Sequence, residues 1–306
     1  MDWAARLDDA LAQQLPGLKM GREEPMSRHT SFRIGGPARR MAFPSSQEEL
    51  VSLLILAREA GARPLVMGRG TNLLVPDQGV DRLVIDTSDS LTALSREGEQ
   101  GLRADAGISL TRLADFACRN GLRGLEFAHG IPGTLGGGVC MNAGAYGGEM
   151  KQVLDTVTAF FPEEGVRTLS VEELDLQYRR SLFTERTDAV ILGAALTLHP
   201  GDETEIRGQM NELMKRRRSS QPLEFPSAGS TFKRPAGGYA GTMIDQSGLK
   251  GLRVGGAEVS EKHAGFVINR GGATYADVTE LIRQVQERVQ ERFGVLLEPE
   301  VRIVER

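Results

Sequence analysis

The twenty residues HGIPGTLGGGVCMNAGAYGG, His129 to Gly148, hold eight glycines and no Lys, Arg, Asp or Glu, although 25% of the 306-residue chain is charged. Glycines at 130, 133, 136, 137, 138, 144, 147 and 148 permit φ > 0 and let backbone N–H groups come close to a ligand. A nest of such amides binds a diphosphate without a cationic side chain, which accounts for the missing charge. A glycine-rich turn or a solenoid corner would use the same residues; a solenoid needs a repeating period, and the chain has none.

A second glycine loop, GRGTN at Gly68–Asn72, lies between RPLVM and DRLVIDTS, which read as strands. A Rossmann loop opens a helix, whereas Leu73, Leu74 and Val75 follow here, so by itself this loop reads as a turn. Two separate glycine loops, each beside strands, favour a bound nucleotide cofactor.

The length exceeds one hydrophobic core and implies two or three domains. A net charge of -4 argues against a general nucleic-acid surface, which must neutralise many phosphates. The longest apolar run, LVSLLILA, is too short to span a membrane, and the start MDWAARLDDALAQQ reads as an amphipathic helix and not a signal peptide. Cys118 and Cys140 form no metal-ligand spacing, no metal is implied, and a reducing cytoplasm fits.

Ser46 and Glu49 stand at capping-box spacing before a helix carrying Leu50, Leu53, Leu54 and Ala57 on one face and ending at Gly61. Ser109 starts a second helix with Leu110, Leu113, Ala114 and Ala117 inward. AVILGAALTLHP reads as a strand, and the composition shift at GDETE marks the expected main domain boundary. A helix with Ile206, Met210, Leu213 and Met214 follows. The C-terminal segment reads strand AGFVIN, helix from Thr274, strand VLLEPEVRIV, the pattern of a βαβ unit. In that last strand Val295, Leu297, Val301 and Ile303 alternate with Glu298, Glu300 and Arg302, and alternation alone cannot choose between the two glutamates.

Seven ordered motifs, TSFRIGGPA, GRGTNLLVPDQG, GLEFAHGIPGTLGGGVCMNAGAYGGE, YRRSLF, PSAGSTFKRP, KHAGFVIN and LEPEVRI, resemble those of the UDP-N-acetylenolpyruvoylglucosamine reductase (MurB) family of peptidoglycan synthesis, in the shorter class without an inserted tyrosine loop. The resemblance implies an α+β fold: a two-part FAD-binding domain of the p-cresol-methylhydroxylase type followed by a smaller α/β substrate domain. On this basis the expected partition is a helical extension at 1–26, FAD subdomains at 27–88 and 89–200, and a substrate domain at 201–306.

The implied ligands are non-covalent FAD, NADPH as hydride donor, and UDP-N-acetylglucosamine enolpyruvate, handled by a cytoplasmic monomer. The implied cofactor residues are Gly68, Arg69, Gly70, Thr71 and Asn72 in the first loop. In the second they are Gly130, Ile131, Pro132, Gly133, Thr134, Gly136, Gly137, Asn142, Gly144, Ala145 and Tyr146. The resemblance matches Arg179 to the arginine facing the substrate carboxylate, Ser230 to the proton donor, and Glu300 to the catalytic glutamate, for which a raised pKa is expected. It places Tyr178, Arg217, Lys233, Lys262 and His263 at the substrate.

Read without the resemblance, these side chains are ordinary. Surface arginines are usually solvated, a loop serine is usually a turn or cap residue, KRRR at Lys215–Arg218 suits a helix C-terminus, and a lone His is usually structural. Two departures stand out: Arg234 where the family motif has asparagine, and His129 where it has a small residue. Related flavoproteins link flavin through histidine. A different FAD oxidoreductase would share the glycine loops without the YRRSLF, AGSTF and EPEVR set, and a non-catalytic nucleotide-binding module would not need those side chains.

Overall fold

The computed structural model describes residues 2–88 and 90–305, and its contacts group the chain into two compact units. The first comprises residues 1–22, 40–69 and 82–216; the second comprises 23–39, 70–81 and 217–306.

In the first unit, Ser46 Oγ accepts the Glu49 amide at 3.2 Å and caps the helix Gln47–Ala60, which ends at Gly61 with φ +74°. The capping is not reciprocal: the Glu49 carboxylate turns to Ser45 instead. Leu50, Leu53 and Ala57 pack with Leu7 and Leu11 of the helix Trp3–Gln14 and with Leu83 and Ile85 of a four-stranded sheet. In that sheet Pro64–Met67 pairs in parallel with Val80–Asp86, so the chain between them is a crossover and not a hairpin turn.

An antiparallel five-stranded sheet runs in the order Gly165–Ser170, Leu154–Phe161, Val190–Thr197, Gly101–Asp105, Leu94–Glu97. The expected strand of AVILGAALTLHP is its centre, buried along nearly its whole length. The second expected helix, Leu110–Arg119, starts where Ser109 Oγ accepts the Arg112 amide at 3.2 Å.

The composition shift at GDETE begins the helix Glu203–Ser220 without ending the packing unit. Ile206 and Met210 of that helix enter the same apolar cluster as Leu113, Ala117, Leu122 and Leu198, which moves the break by contacts to 216/217 from the expected 200/201. Residues 23–39 and 70–81 group with the C-terminal segment, so the contact grouping is not the motif-based partition at 26/27, 88/89 and 200/201.

The second unit holds a four-stranded antiparallel sheet, ordered Ser227–Ser230, Phe266–Asn269, Ala257–Val259, Arg253–Val254. The helix Tyr275–Phe293 opens with a full capping box between Thr274 and Asp277 and buries Val278, Leu281, Ile282, Val285 and Val289.

The expected βαβ unit does not form. Phe266–Asn269 pairs only within its antiparallel sheet, whereas the residues after the helix pair elsewhere. Lys233 N donates to Glu298 O at 2.9 Å and Glu300 N to Thr231 O at 2.8 Å; then Arg302 N donates to Asn72 O and Val304 N to Leu74 O, both at 2.9 Å. This change of partner breaks the alternation. Leu297, Val301 and Val304 are buried while Ile303, expected inward, is 39% exposed. Pro299, with no N–H to offer, marks the switch opposite Phe232.

Candidate functional site

The glycines of the two loops divide into two kinds. A Cβ at Gly68 would lie 2.2 Å from Thr134 Oγ1, one at Gly148 would lie 2.5 Å from Phe127 Cδ1, and one at Gly144 would lie 2.7 Å from Gly148 O. These positions are glycine because another part of the protein occupies the side-chain space. Thr134 is buried and precedes a short helix, Leu135–Cys140, inside the expected glycine loop.

The amides divide likewise. Gly136 N donates to Ala106 O at 2.8 Å and Ile131 N to Ala128 O at 3.0 Å, so these two expected cofactor residues use their N–H groups internally, as does their neighbour Leu135, whose N donates to Ile108 O at 2.9 Å. The amides of Gly130, Gly133 and Thr134 have no backbone acceptor among the described residues. Three neighbouring donors, no carboxylate in the stretch, and open space around Gly137, whose Cβ would meet nothing closer than 3.8 Å, fit a diphosphate-bearing cofactor.

Gly144–Ala145 and Gly148–Glu149 form a hairpin whose two-residue turn, Tyr146 at φ +54° and Gly147 at φ +88°, has both central residues at positive φ, as a type I′ turn requires. Tyr146 is thereby displayed at the tip.

Tyr178 and Arg179 form a second tight turn: Gln177 N donates to Arg180 O at 3.0 Å and Arg180 N to Gln177 O at 3.2 Å. Arg179 has φ +55°, a position where type II turns usually carry glycine or asparagine. Its guanidinium lies 5.0 Å from the centre of the Tyr178 ring and approaches Gly144 O at 3.4 Å. Arg180, its neighbour in YRRSLF, instead pairs with Asp175 and Glu185. The geometry therefore separates two arginines that composition could not. Sequence reading missed Ser181, which is buried and donates to Cys140 O at 2.7 Å, fixing the exit of the turn. Its only sequence signal was a serine at a helix start.

In the second unit Gly229, at φ +78°, interrupts the register between Ser227 and Ser230, and Ser230 stands exposed. The adjacent Thr231 is buried and is the anchor: its N donates to Gly265 O, its Oγ1 accepts from Val267 N, and its carbonyl accepts from Glu300 N. Asn72 Nδ2 donates to Glu300 O at 3.1 Å, so the side chain of this expected cofactor residue holds the backbone of the expected catalytic glutamate. Gly70, at φ +57°, accepts the Ser31 amide. Glu298, the other glutamate, is paired with Lys233.

Among the remaining expected substrate residues, Arg217 is the buried member of KRRR. The Lys262 ammonium donates to Arg218 O at 2.7 Å and so caps the end of the helix Glu203–Ser220. His263 Nδ1 accepts the Gly265 amide at 3.1 Å, which places the proton of the neutral ring on Nε2; burial holds its pKa below the ordinary value. Arg234 lies over the Tyr239 ring at 4.5 Å. His129 Nδ1 is buried without a hydrogen-bond partner, 3.8 Å from the Asp115 carboxylate, and burial lowers its pKa. Among the described residues no His, Cys, Asp and Glu group could hold a metal, and no helix is long and apolar enough to cross a membrane.

Residues 38–170 match the FAD-binding domain family, and residues 221–304 match the C-terminal domain of UDP-N-acetylenolpyruvoylglucosamine reductase. Curated proteins named UDP-N-acetylenolpyruvoylglucosamine reductase are similar along almost their whole length. That of Caldanaerobacter subterraneus subsp. tengcongensis is 47% identical, covering 97% of this chain and 98% of the relative. That of Syntrophomonas wolfei is 46% identical, covering 95% and 96%. The crystal structure of the UDP-N-acetylenolpyruvylglucosamine reductase (MurB) from Thermus caldophilus is similar with a TM-score of 0.79 and 36% identity, covering 94% of this chain and 99% of that one.

Proposed function

Since the chain belongs to the UDP-N-acetylenolpyruvoylglucosamine reductase family, we propose that it reduces UDP-N-acetylglucosamine enolpyruvate to UDP-N-acetylmuramate with NADPH, as a cytoplasmic monomer holding non-covalent FAD. The supporting observation is Arg179, held at positive φ in a pinned turn whose guanidinium approaches the glycine hairpin.

The amides of Gly130, Gly133 and Thr134 would hold the diphosphate of FAD, and the bound flavin would supply hydride chemistry by which the terminal vinyl carbon of the enolpyruvyl ether would gain a hydride originating in NADPH. The electron pair of the vinyl bond then moves toward the substrate carboxylate, giving an enolate that water stabilises poorly and fixed dipoles stabilise well. The Arg179 guanidinium offers two parallel N–H donors to that carboxylate. Glu300 assists as the neutral acid, since an ionised carboxylate would repel the enolate. Ser230 Oγ–H delivers the proton to the carbon bearing the ether oxygen, completing the lactyl group, and regains its proton from solvent. Lys233, paired with Glu298, and His263, whose neutral ring carries its proton on Nε2, are donors for the anionic nucleotide.

The test is a colour cycle. The purified protein should be yellow, bleach anaerobically with NADPH, and recolour with the enolpyruvyl sugar. In Ser230→Ala bleaching should persist while recolouring slows by roughly 10²-fold or more, as for a lost general acid. Bleaching without recolouring in the unaltered protein would assign it to another FAD oxidoreductase. An unslowed Ser230→Ala would remove Ser230 from the chemistry.

A further inference from the structure

Asn142 lies in the glycine-rich stretch and is one of the residues the family resemblance implies for the cofactor, but its side-chain amide bonds to the protein, out of the stretch, at both donors and at its oxygen. The residue is 1% exposed and sits at φ +39°, a left-handed conformation that asparagine tolerates better than other side chains. Its Nδ2 donates to Gln177 O at 3.1 Å and to Glu149 Oε2 at 3.1 Å, while its Oδ1 accepts the Lys151 amide at 3.0 Å. Gln177 is the first residue of the turn that carries Arg179, and Glu149 belongs to the hairpin whose Gly144 carbonyl the guanidinium approaches.

We propose that Asn142 is the positioning residue for Arg179: one buried amide sets the turn bearing the guanidinium and the hairpin facing it at a fixed distance. The inference rests on the reading that Arg179 holds the substrate carboxylate. The entry of the turn is held by Asn142, with Lys151 Nζ on Leu176 O at 3.3 Å beside it, and the exit by Ser181 on Cys140 O. Tyr178 and Arg179 between them are exposed or half-buried, so the backbone anchors decide where the long side chain starts. A displacement of about 1 Å at a group that orients substrate costs about 10²-fold in rate. The cofactor's reduction by NADPH does not use the guanidinium, so the loss should fall on the second half-reaction alone.

Two substitutions separate the side chain from the backbone. Asn142→Gly keeps the left-handed conformation and removes all three side-chain hydrogen bonds. Asn142→Asp keeps the acceptor for Lys151 and turns the donor into a carboxylate facing Glu149 and the Gln177 carbonyl. In stopped flow, Asn142→Gly should be reduced by NADPH within about 3-fold of the parent and reoxidised by the enolpyruvyl sugar about 10²-fold more slowly. Adding Arg179→Lys should slow it little further, because both changes disable one contact. Asn142→Asp should recover reoxidation relative to the parent as pH falls, since the protonated acid donates again, while its reduction by NADPH keeps pace with the parent throughout; a defect of the cofactor loop would make both half-reactions recover together.

Normal reoxidation in Asn142→Gly with a slow Arg179→Lys would overturn the positioning role and leave the function standing. Normal reoxidation in Arg179→Lys would overturn the role of Arg179 itself. Equal slowing of both half-reactions, or additive losses in the double variant, would make Asn142 a support of the cofactor loop only. If the glycine variant does not fold, the pH profile of Asn142→Asp decides alone: recovery confined to reoxidation supports the positioning role, and recovery of both half-reactions together or a flat profile overturns it.

Discussion

At the scale of single residues, Arg179 combines a strained backbone with the role proposed for it at the substrate carboxylate. A non-glycine residue in the left-handed region costs of order 1 kcal/mol, and glycine there carries a comparable entropic cost in the unfolded chain. Arg179→Gly should therefore leave the denaturant midpoint equivalent to the parent within about 0.5 kcal/mol while recolouring by the enolpyruvyl sugar is abolished. A large loss of stability instead would mean that the guanidinium holds the turn together and its placement is architectural. The choice between Arg179 and Arg180 was legible only through the family motif, because an ion pair with Asp175 and Glu185 leaves no mark on a run of two arginines. Glu298 and Glu300 pose the same problem, and their surroundings differ: Lys233 pairs with the side chain of one, while Thr231 and Asn72 hold the backbone of the other.

At the scale of elements, the glycine loops make two opposite substitutions informative. Gly68→Ala puts a methyl group 2.2 Å from Thr134 Oγ1, so one loop must move, and both thermal stability and flavin content should fall. Gly137→Ala meets nothing closer than 3.8 Å within the short helix Leu135–Cys140, and replacing a helical glycine gains about 1 kcal/mol. Its flavin-free form should melt no lower than the parent, while its flavin affinity falls because the added methyl occupies space kept for the cofactor. Unchanged flavin affinity in Gly137→Ala would take that residue out of the cofactor contact.

At the scale of the whole molecule, acid stability should show two separate windows. Burial lowers the pKa of both His129 and His263, so the unfolded chain takes up protons there more readily than the folded one. The stability these rings contribute is complete above their unfolded pKa of about 6.5 and is lost as pH falls through the lower folded values. Asp8, whose pKa is lowered by its hydrogen bond from Arg40, acts in the same direction but only below about pH 4. The melting temperature should thus decline from about pH 6.5 toward 5, and His129→Gln should flatten part of that decline. An unaltered slope in His129→Gln would show that the orphaned Nδ1 costs the fold nothing on protonation.

The sequence by itself determined whatever depends on neighbours a few residues apart. Ser46, Ser109 and Thr274 cap helices where their spacing indicated, the apolar stripes of Gln47–Ala60 and Tyr275–Phe293 are buried, and Val190–Thr197 of AVILGAALTLHP forms a buried strand, while His199–Pro200 pairs apart from it with Leu122–Arg123. The ordered motifs also carried the family and the α+β class, which the matches along the chain support. Only the tertiary structure decided which strands meet. Residues 298–304 pair with Thr231–Lys233 and then with Asn72–Leu74, not with Phe266–Asn269, and the helix Glu203–Ser220 packs its apolar stripe backward into the preceding cluster. It also decided which glycines make room for neighbours and which amides of the stretch have backbone acceptors, and that Asn142 reaches the turn at Gln177. Helix caps and periodicity act across three or four residues, whereas Asn142 lies 35 residues from Gln177 and Asn72 lies 228 from Glu300, separations at which no local pattern specifies a partner.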